Sequence, residues 1–291
     1  MRREPASDVD SGDRRGYLRR ASNMHKTILI TGATDGIGLE TAKRLNAEGH
    51  HLLLHGRNGS KLDALVSELG GPSDRLETYV ADLSRMNDVA AMAHAISERH
   101  ESLDVLINNA GVFRTSNPIT SDGLDVRFVV NTIAPFLLTQ RLMPLLSSSS
   151  RVVNLSSAAQ APVDVQALVH GARLSDNAAY AQSKLAITMW SRWLSDSVGS
   201  DGPVVVAVNP GSMLATKMVK EAYGVPGADI SIGADILVRA ALSDEFESAT
   251  GRYYANDSGR FAPPHPDALD DAQCKAVVDA IETALTKLGF G

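Results

Sequence analysis

Short apolar runs alternate with amphipathic segments from residue 27 to about residue 255, and that alternation restricts the chain to one class of fold. The runs are Thr27–Thr31, His51–His55, Leu76–Val80, Leu103–Ile107, Arg151–Leu155 and Val204–Val208. They are too short for buried helices and rich in leucine and β-branched residues, so they are predicted as strands. Between them, Leu39–Glu48, Ser60–Leu69, Met86–His100, Gly123–Leu146, Ala178–Val198 and Ile232–Ala241 carry helical spacing. Arg252-Tyr253-Tyr254 is expected to add a last strand, Phe261–Asp271 to be irregular around its prolines, and Asp270–Leu288 to form a terminal helix. Strands apolar on both faces belong to a parallel sheet covered on each side by helices. Parallel neighbours need right-handed crossovers, so the expectation is a doubly wound α/β architecture with a single parallel sheet of about seven strands. No internal repeat or change in composition divides it, and residues 24–291 are read as one domain.

Composition excludes several functions. The net charge of −6, without a basic stripe, argues against binding nucleic acid through its phosphates. The single cysteine, Cys274, can form neither an internal disulfide nor a cysteine-built metal site, and no metal ligand set is expected. No stretch approaches the roughly 18 apolar residues needed to cross a bilayer. Residues 1–23 hold six arginines among aspartates, serines and glycines, with no apolar centre. They are read as a disordered tail rather than a signal sequence, with Met24 the expected start of the functional protein and the cytoplasm its expected location.

After the first predicted strand the chain reads Thr31-Gly32-Ala33-Thr34-Asp35-Gly36-Ile37-Gly38. A strand-to-helix turn with three glycines lets backbone approach a pyrophosphate, and the following helix N-terminus offers unpaired N–H groups and a favourable dipole. The same glycines would also serve a turn with no ligand.

Further motifs follow in order: Ala81-Asp82-Leu83-Ser84, Asn108-Asn109-Ala110-Gly111, Asn154-Leu155-Ser156-Ser157, Tyr180-Ala181-Gln182-Ser183-Lys184 and Asn209-Pro210-Gly211. Each alone is weak. Together and in this register they resemble the short-chain dehydrogenase/reductase family over about residues 26–255. The resemblance implies a Rossmann fold and an NAD(P)-dependent oxidoreductase acting on an alcohol or a carbonyl. It places Gly32, Thr34, Asp35, Gly36, Ile37 and Gly38 on the cofactor phosphates, and Asp82 and Leu83 beside the adenine. Asn109, Ala110 and Gly111 would flank the ribose, and Pro210, Gly211 and Thr216 the nicotinamide. Asn108 and Asn109 also suit plain turn chemistry.

The end of the second strand distinguishes the two nicotinamide cofactors. A carboxylate there would accept from a ribose 2′-hydroxyl, whereas an arginine welcomes a 2′-phosphate. The sequence is His55-Gly56-Arg57-Asn58, which favours NADP(H), while Asp35 stands where a second basic residue accompanies NADP use in the family.

Carbonyl reduction needs a proton delivered to oxygen. A tyrosine phenol suits this only if its pKa, ordinarily about 10, moves toward neutrality. A lysine four residues later lies one helical turn along on the same face, and its charge favours the phenolate. Tyr180 and Lys184 have that spacing, which alone would read as an ordinary helix pair. By resemblance, Tyr180 and Lys184 also contact the cofactor, Lys184 at the nicotinamide ribose. The same resemblance has Ser157 bind the carbonyl oxygen, Ser156 serve structure, and Asn131 hold a water that links Lys184 to solvent. A helix-interior asparagine also suits plain packing.

Two departures stand out. Tyr180 lies 23 positions after Ser157, against roughly a dozen in the family, so residues 160–177 are expected to form an added loop. This insert resembles the retinol-dehydrogenase-like and protochlorophyllide-reductase-like branches. Thr216 stands one residue later than the common pattern. Met218–Asp229 resembles the family's substrate lid, and Met213, Leu214, Met218 and Tyr223 would make it apolar, suiting a hydrophobic alcohol or carbonyl as a small-molecule substrate, although Met and Leu at such spacing also suit plain packing. The resemblance also implies a homodimer or homotetramer joined through the helices carrying Asn131 and Tyr180. A non-catalytic dinucleotide-binding redox sensor and a nucleotide-sugar epimerase remain the alternatives.

Overall fold

The structure is a computed structural model, and it describes residues 25–290. The tail assigned to residues 1–23 and the start assigned to Met24 lie outside the described residues.

The apolar runs fold as β1 (Thr27–Ile30), β2 (His51–Gly56), β3 (Leu76–Val80), β4 (Val105–Asn108), β5 (Arg151–Leu155), β6 (Val204–Asn209), β7 (Tyr253–Ala255) and β8 (Arg260–Ala262). They form one sheet in the order β3-β2-β1-β4-β5-β6-β7-β8. Every neighbouring pair is parallel except β7 with β8. The expected sheet of about seven parallel strands is present, and an antiparallel eighth extends it. The irregular segment expected from Phe261 therefore begins only after Ala262, where Pro263 and Pro264 remove the N–H groups needed to continue the ladder.

The helices are α1 (Gly36–Ala47), α2 (Gly59–Glu68), α3 (Met86–Arg99), α4 (Val126–Phe128), α5 (Ala134–Leu142), α6 (Val165–His170), α7 (Asp176–Val198), α8 (Lys217–Tyr223), α9 (Ser231–Leu242) and α10 (Asp271–Lys287). Leucines and isoleucines of α1, α2 and α9 bury one face of the sheet. The other face lies under α3, α5 and α7, where Trp190 meets Phe136 edge-on at 5.6 Å. Outside α7 sits a further layer, because α10 packs on both α6 and α7. All residues from Val129 to Thr139 and from Ser183 to Ser191 are buried within the single chain. These stretches of the helices carrying Asn131 and Tyr180 are thus covered within the chain, while Gln140, Arg141 and the two ends of α7 keep exposed or half-buried positions.

Two expectations change in detail. The helix predicted over Gly123–Leu146 starts at Val126 and passes through a π turn, Val129–Ile133, before α5. The insert at residues 160–177 is not merely a loop, since Asp164 accepts from the Gln166 and Ala167 amides and caps α6.

A buried ion cluster joins α4 to α7. The fully buried Arg127 guanidinium donates to both Asp125 oxygens, at 2.8 Å and 2.6 Å, and to Asp176 at the start of α7. Removing the cation alone leaves Asp125 buried and uncompensated, so Arg127→Met is expected to cost about 3–5 kcal/mol. Urea unfolding of the variant checks this; a loss under about 1 kcal/mol contradicts it.

Candidate active site

Strand order reverses between β1 and β4, and the C-terminal ends of these strands open a crevice there. The glycine turn forms one wall. Gly32 and Gly36 have φ of 68° and 58°, in the left-handed region that glycine adopts without steric cost. A side chain on Gly38 would overlap the Gly32 carbonyl and the Asn109 amide. Asn109 Nδ2 donates to the Thr31 and Gly32 carbonyls at 2.8 Å and 3.1 Å, while Thr31 Oγ1 accepts from the Asn109 and Ala110 amides. Asp35 is exposed and caps α1 by accepting from the Gly36 amide, and Ile37 lies against α9 at Gly233.

The role of His55 was not read from the sequence. Its buried ring spans three strands: Nδ1 accepts from the Gly32 amide at 3.1 Å, and Nε2 donates to the Ala81 carbonyl at 3.0 Å. Burial lowers its pKa against the opposing effect of the Ala81 bond, consistent with the neutral tautomer this pairing needs. The available signal was a histidine closing the apolar run Leu52-Leu53-Leu54, which His51 opens in the same way.

Toward the β2 end of the crevice, Thr34 lies against Gly56, and Arg57 follows it as an exposed cation. Asp82 Oδ1 accepts from the Ser84 amide and hydroxyl, with Leu83 buried beside it. Arg57 thus stands at the outer end of the crevice, apart from the tyrosine and lysine.

At the other end, the two serines separate by role. Ser156 is buried and bonded to the Lys184 carbonyl and Thr188 hydroxyl. Ser157 is only partly buried, its Oγ accepts from the Ala159 amide at 3.1 Å, and its carbonyl accepts from Tyr253 Oη and Gln160 Nε2. Tyr180 lies on α7, with its ring packed on Phe113 at 4.7 Å. One turn on, Lys184 is buried, donates to the Leu155 carbonyl at 2.7 Å and sits 5.7 Å from the Tyr180 ring centre. Burial lowers its pKa to about 8.

Asn131 lies in the π turn. Its Oδ1 accepts from the Val112 amide at 2.7 Å, and its Nδ2 donates to the Val112 carbonyl and Ser183 hydroxyl. Gly111 adjoins both Asn131 and Lys184: a Cβ there would stand 3.4 Å from Asn131 Oδ1 and 3.6 Å from Lys184 Nζ.

The loop after β6 closes the crevice. Gly211 has φ of 123° and donates to Asn209 Oδ1, while Pro210 O accepts from Asn256. Thr216 caps α8 by accepting from the Val219 amide, and its methyl approaches the glycine turn. A Cβ on Gly36 would meet that methyl at 3.8 Å, an ordinary van der Waals contact, so the two loops approach each other across the crevice. Glycine-turn amides and the exposed Arg57 guanidinium stand along the sheet's C-terminal edge, with the Lys184 ammonium buried against the Leu155 carbonyl at the end of β5. That donor set fits a dinucleotide, which is anionic at its phosphates and rich in hydroxyls at its riboses. Among the described residues no group of histidine, cysteine and carboxylate side chains could hold a metal, and no helix is long and apolar enough to cross a membrane.

This fold and crevice are those of a Rossmann-type, doubly wound α/β protein. A family profile described as short chain dehydrogenase matches residues 26–224, and the chain belongs to that family. It is 32% identical to human retinol dehydrogenase 13 over 275 residues, covering 87% of this chain and 82% of that protein. An uncharacterized protein from Mycobacterium paratuberculosis superposes with a TM-score of 0.75 at 26% identity, covering 91% of this chain and 95% of the other. A short chain dehydrogenase from Shigella flexneri, solved in complex with NADP, gives a TM-score of 0.63 at 26% identity, with coverage of 81% and 98%.

The depressed Lys184 pKa has a consequence for stability. At pH 7 both folded and unfolded states carry the ammonium, so the cost of burying it is fully present. Between about pH 8 and the ordinary value of 10.5 only the unfolded state keeps the proton, and stability rises with pH. Lys184→Met is therefore expected to be more stable than the parent at pH 7 by on the order of 1–2 kcal/mol, after loss of the Leu155 hydrogen bond is subtracted. The advantage should shrink toward pH 10, and urea unfolding at both pH values measures it. A constant difference would contradict the burial cost.

Proposed function

We propose that the protein is an NADP(H)-preferring oxidoreductase that interconverts a hydrophobic alcohol and its carbonyl compound in the cytoplasm, with Tyr180 as the acid/base. The observation that carries this reading is the buried Lys184 ammonium one turn from Tyr180, beside Gly111 and the end of β5. A cation in that position lowers the cost of forming the phenolate.

In the reductive direction, Ser157 Oγ donates a hydrogen bond to the substrate carbonyl oxygen and orients it. The Tyr180 hydroxyl gives that oxygen its proton as negative charge develops there. Lys184 holds the resulting phenolate and binds the hydroxyls of the neighbouring ribose. Asn131, whose side chain spans Val112 and Ser183, supports the lysine end of a proton path to solvent. The bound nicotinamide supplies or accepts the hydride. Gly32, Thr34, Asp35, Gly36, Ile37 and Gly38 receive the pyrophosphate, and Asp82 and Leu83 the adenine. Asn109, Ala110 and Gly111 hold the ribose side, while Pro210, Gly211 and Thr216 face the carboxamide.

Three observations support an apolar substrate. Phe113 flanks the Tyr180 ring, Met218 reaches toward Gly111, and Met213 is partly exposed beside the crevice. The name of retinol dehydrogenase 13 points the same way. Arg57 supports the preference for the 2′-phosphate cofactor, since it is an exposed cation at the end of β2 with no acid beside it on that turn. The NADP complex of the Shigella relative agrees with this.

Tyr180→Phe is expected to reduce kcat by about 10²–10⁴ while NADPH affinity, followed by nicotinamide fluorescence, stays within about twofold. Near-normal turnover would overturn the mechanism, and a parent that binds NADPH but oxidises it with no carbonyl compound would point to the sensor. Arg57→Ala is expected to lower the NADPH to NADH ratio of kcat/KM by about tenfold or more, the worth of a charge-assisted hydrogen bond. A parent that prefers NADH would remove the NADP assignment.

A further inference from the structure

The loop after β6 has an unusual backbone. Gly211 and Met213 adopt φ of 123° and 54° within three residues, and Met213 is the one non-glycine residue with positive φ among those described. A non-glycine residue in that region costs energy and persists only when its surroundings hold it there. Part of the hold is local, since Ala228 N–H donates to the Met213 carbonyl and Ala215 N–H to the Ala228 carbonyl, both at 2.7 Å.

The rest comes from the turn between β7 and β8. Asp257 accepts three hydrogen bonds from the loop: from Asn209 Nδ2 at 2.8 Å, from the Ser212 amide at 2.7 Å and from the Ser212 hydroxyl at 2.7 Å. Its neighbour Asn256 donates to the Pro210 carbonyl at 2.9 Å and to the Ile232 carbonyl. Both ends of the Pro210–Gly211 segment are thereby held by two consecutive side chains of one hairpin turn. Burial alone would raise the Asp257 pKa, yet the Ser212 and Asn209 donors hold its carboxyl below the ordinary value, as a committed acceptor requires.

We propose that Asp257 is a positioning residue for the redox half of the bound dinucleotide. In this role the β7–β8 hairpin is the template on which the Asn209–Thr216 loop is set. The inference rests on the oxidoreductase reading above and goes beyond it, since it assigns a task to the antiparallel hairpin at the edge of the sheet. Asp257 touches neither cofactor nor substrate; it acts through Asn209 and Ser212.

The bonding pattern defines its own test. Asp257→Asn puts an NH₂ group against the Asn209 NH₂ group, two donors face to face. Adding Asn209→Asp reverses the pair: Asn at 257 then donates to Asp at 209, still accepts from the Ser212 amide, and can donate to the Ser212 hydroxyl. Affinities would be measured for NADPH and for adenosine 2′,5′-bisphosphate, which occupies only the adenine half of the site. Asp257→Asn is expected to weaken NADPH binding and lower kcat by about tenfold each, with binding of the bisphosphate within twofold of the parent. The double variant should recover most of both losses. Parent-like values in Asp257→Asn would overturn the proposal. Equal weakening of both ligands, or a double variant no better than the single one, would also overturn it by showing a general structural role. A parent that binds the bisphosphate and NADPH yet reduces no carbonyl compound would instead count against the oxidoreductase reading, with the affinity comparison still deciding the role of Asp257.

Discussion

The hydrogen bonds from Asn109 to the Thr31 and Gly32 carbonyls close the seam on which the site depends. In a doubly wound sheet, the two strands at the reversal point send their crossovers to opposite faces, so their ends diverge and leave a crevice. Nothing in the β1–β4 ladder specifies how far the following loops then separate. The Asn109 amide does, by capping two carbonyls that the glycine turn cannot satisfy within itself. Gly38 has to lack a side chain because this amide and the Gly32 carbonyl occupy the space. His55 fixes the turn from the other side through the Gly32 amide, so the turn's donors and acceptors are set before any ligand arrives.

Lys184 shows a different compromise. A buried ammonium with one carbonyl partner is a poor contribution to stability. On the proposed mechanism, in which the crevice receives hydroxyls and a phenolate, the same desolvation would strengthen its field at the reacting atoms. Stability forgone at this position is therefore intelligible as preorganisation.

Much of this arrangement was legible in the sequence. Parallel strands announce themselves because they are buried on both faces, and the glycine turn and the Tyr180–Lys184 spacing are each contained within a few consecutive residues. What escaped was long-range. β8 has only three residues, too few for any periodicity, and exists because a turn folds Arg260–Ala262 back on Tyr253–Ala255. His55 and Asp257 act across separations of 23 and 45 residues in sequence, to Gly32 and Ser212 respectively, and no local pattern encodes such partners. The covering of α7 by α10 escaped for the same reason, since an amphipathic helix does not name the surface it will bury against. The identity of the cofactor phosphate remains the reading of one exposed arginine.

The register of Tyr180 against Ser157 follows from the buried face of α7, where polar groups determine alignment. Ser183 meets Asn131, Lys184 meets the Leu155 carbonyl, Thr188 meets Ser156, and Ser191 meets Asn154, which in turn accepts from Asn108. Lys184, Thr188 and Ser191 recur at helical spacing, so one stripe of the helix reads out one strand. Apolar packing tolerates a slip of a helix along a sheet, because leucines exchange neighbours at modest cost. A slip by one turn here would strand four polar groups in a dry interior, each at about 1–3 kcal/mol. At the N-terminal end, the Arg127 cluster holds Asp176 and so the first turn of the same helix. With both ends constrained, the tyrosine's position relative to the serine is set in large part by Arg127, Asn154, Ser156, Thr188 and Ser191, none of which has a role in the proposed chemistry. On the proposed mechanism, substitutions of Thr188 or Ser191, whose hydrogen bonds across the interface reach only Ser156 and Asn154, should therefore impair turnover through geometry even where the fold survives.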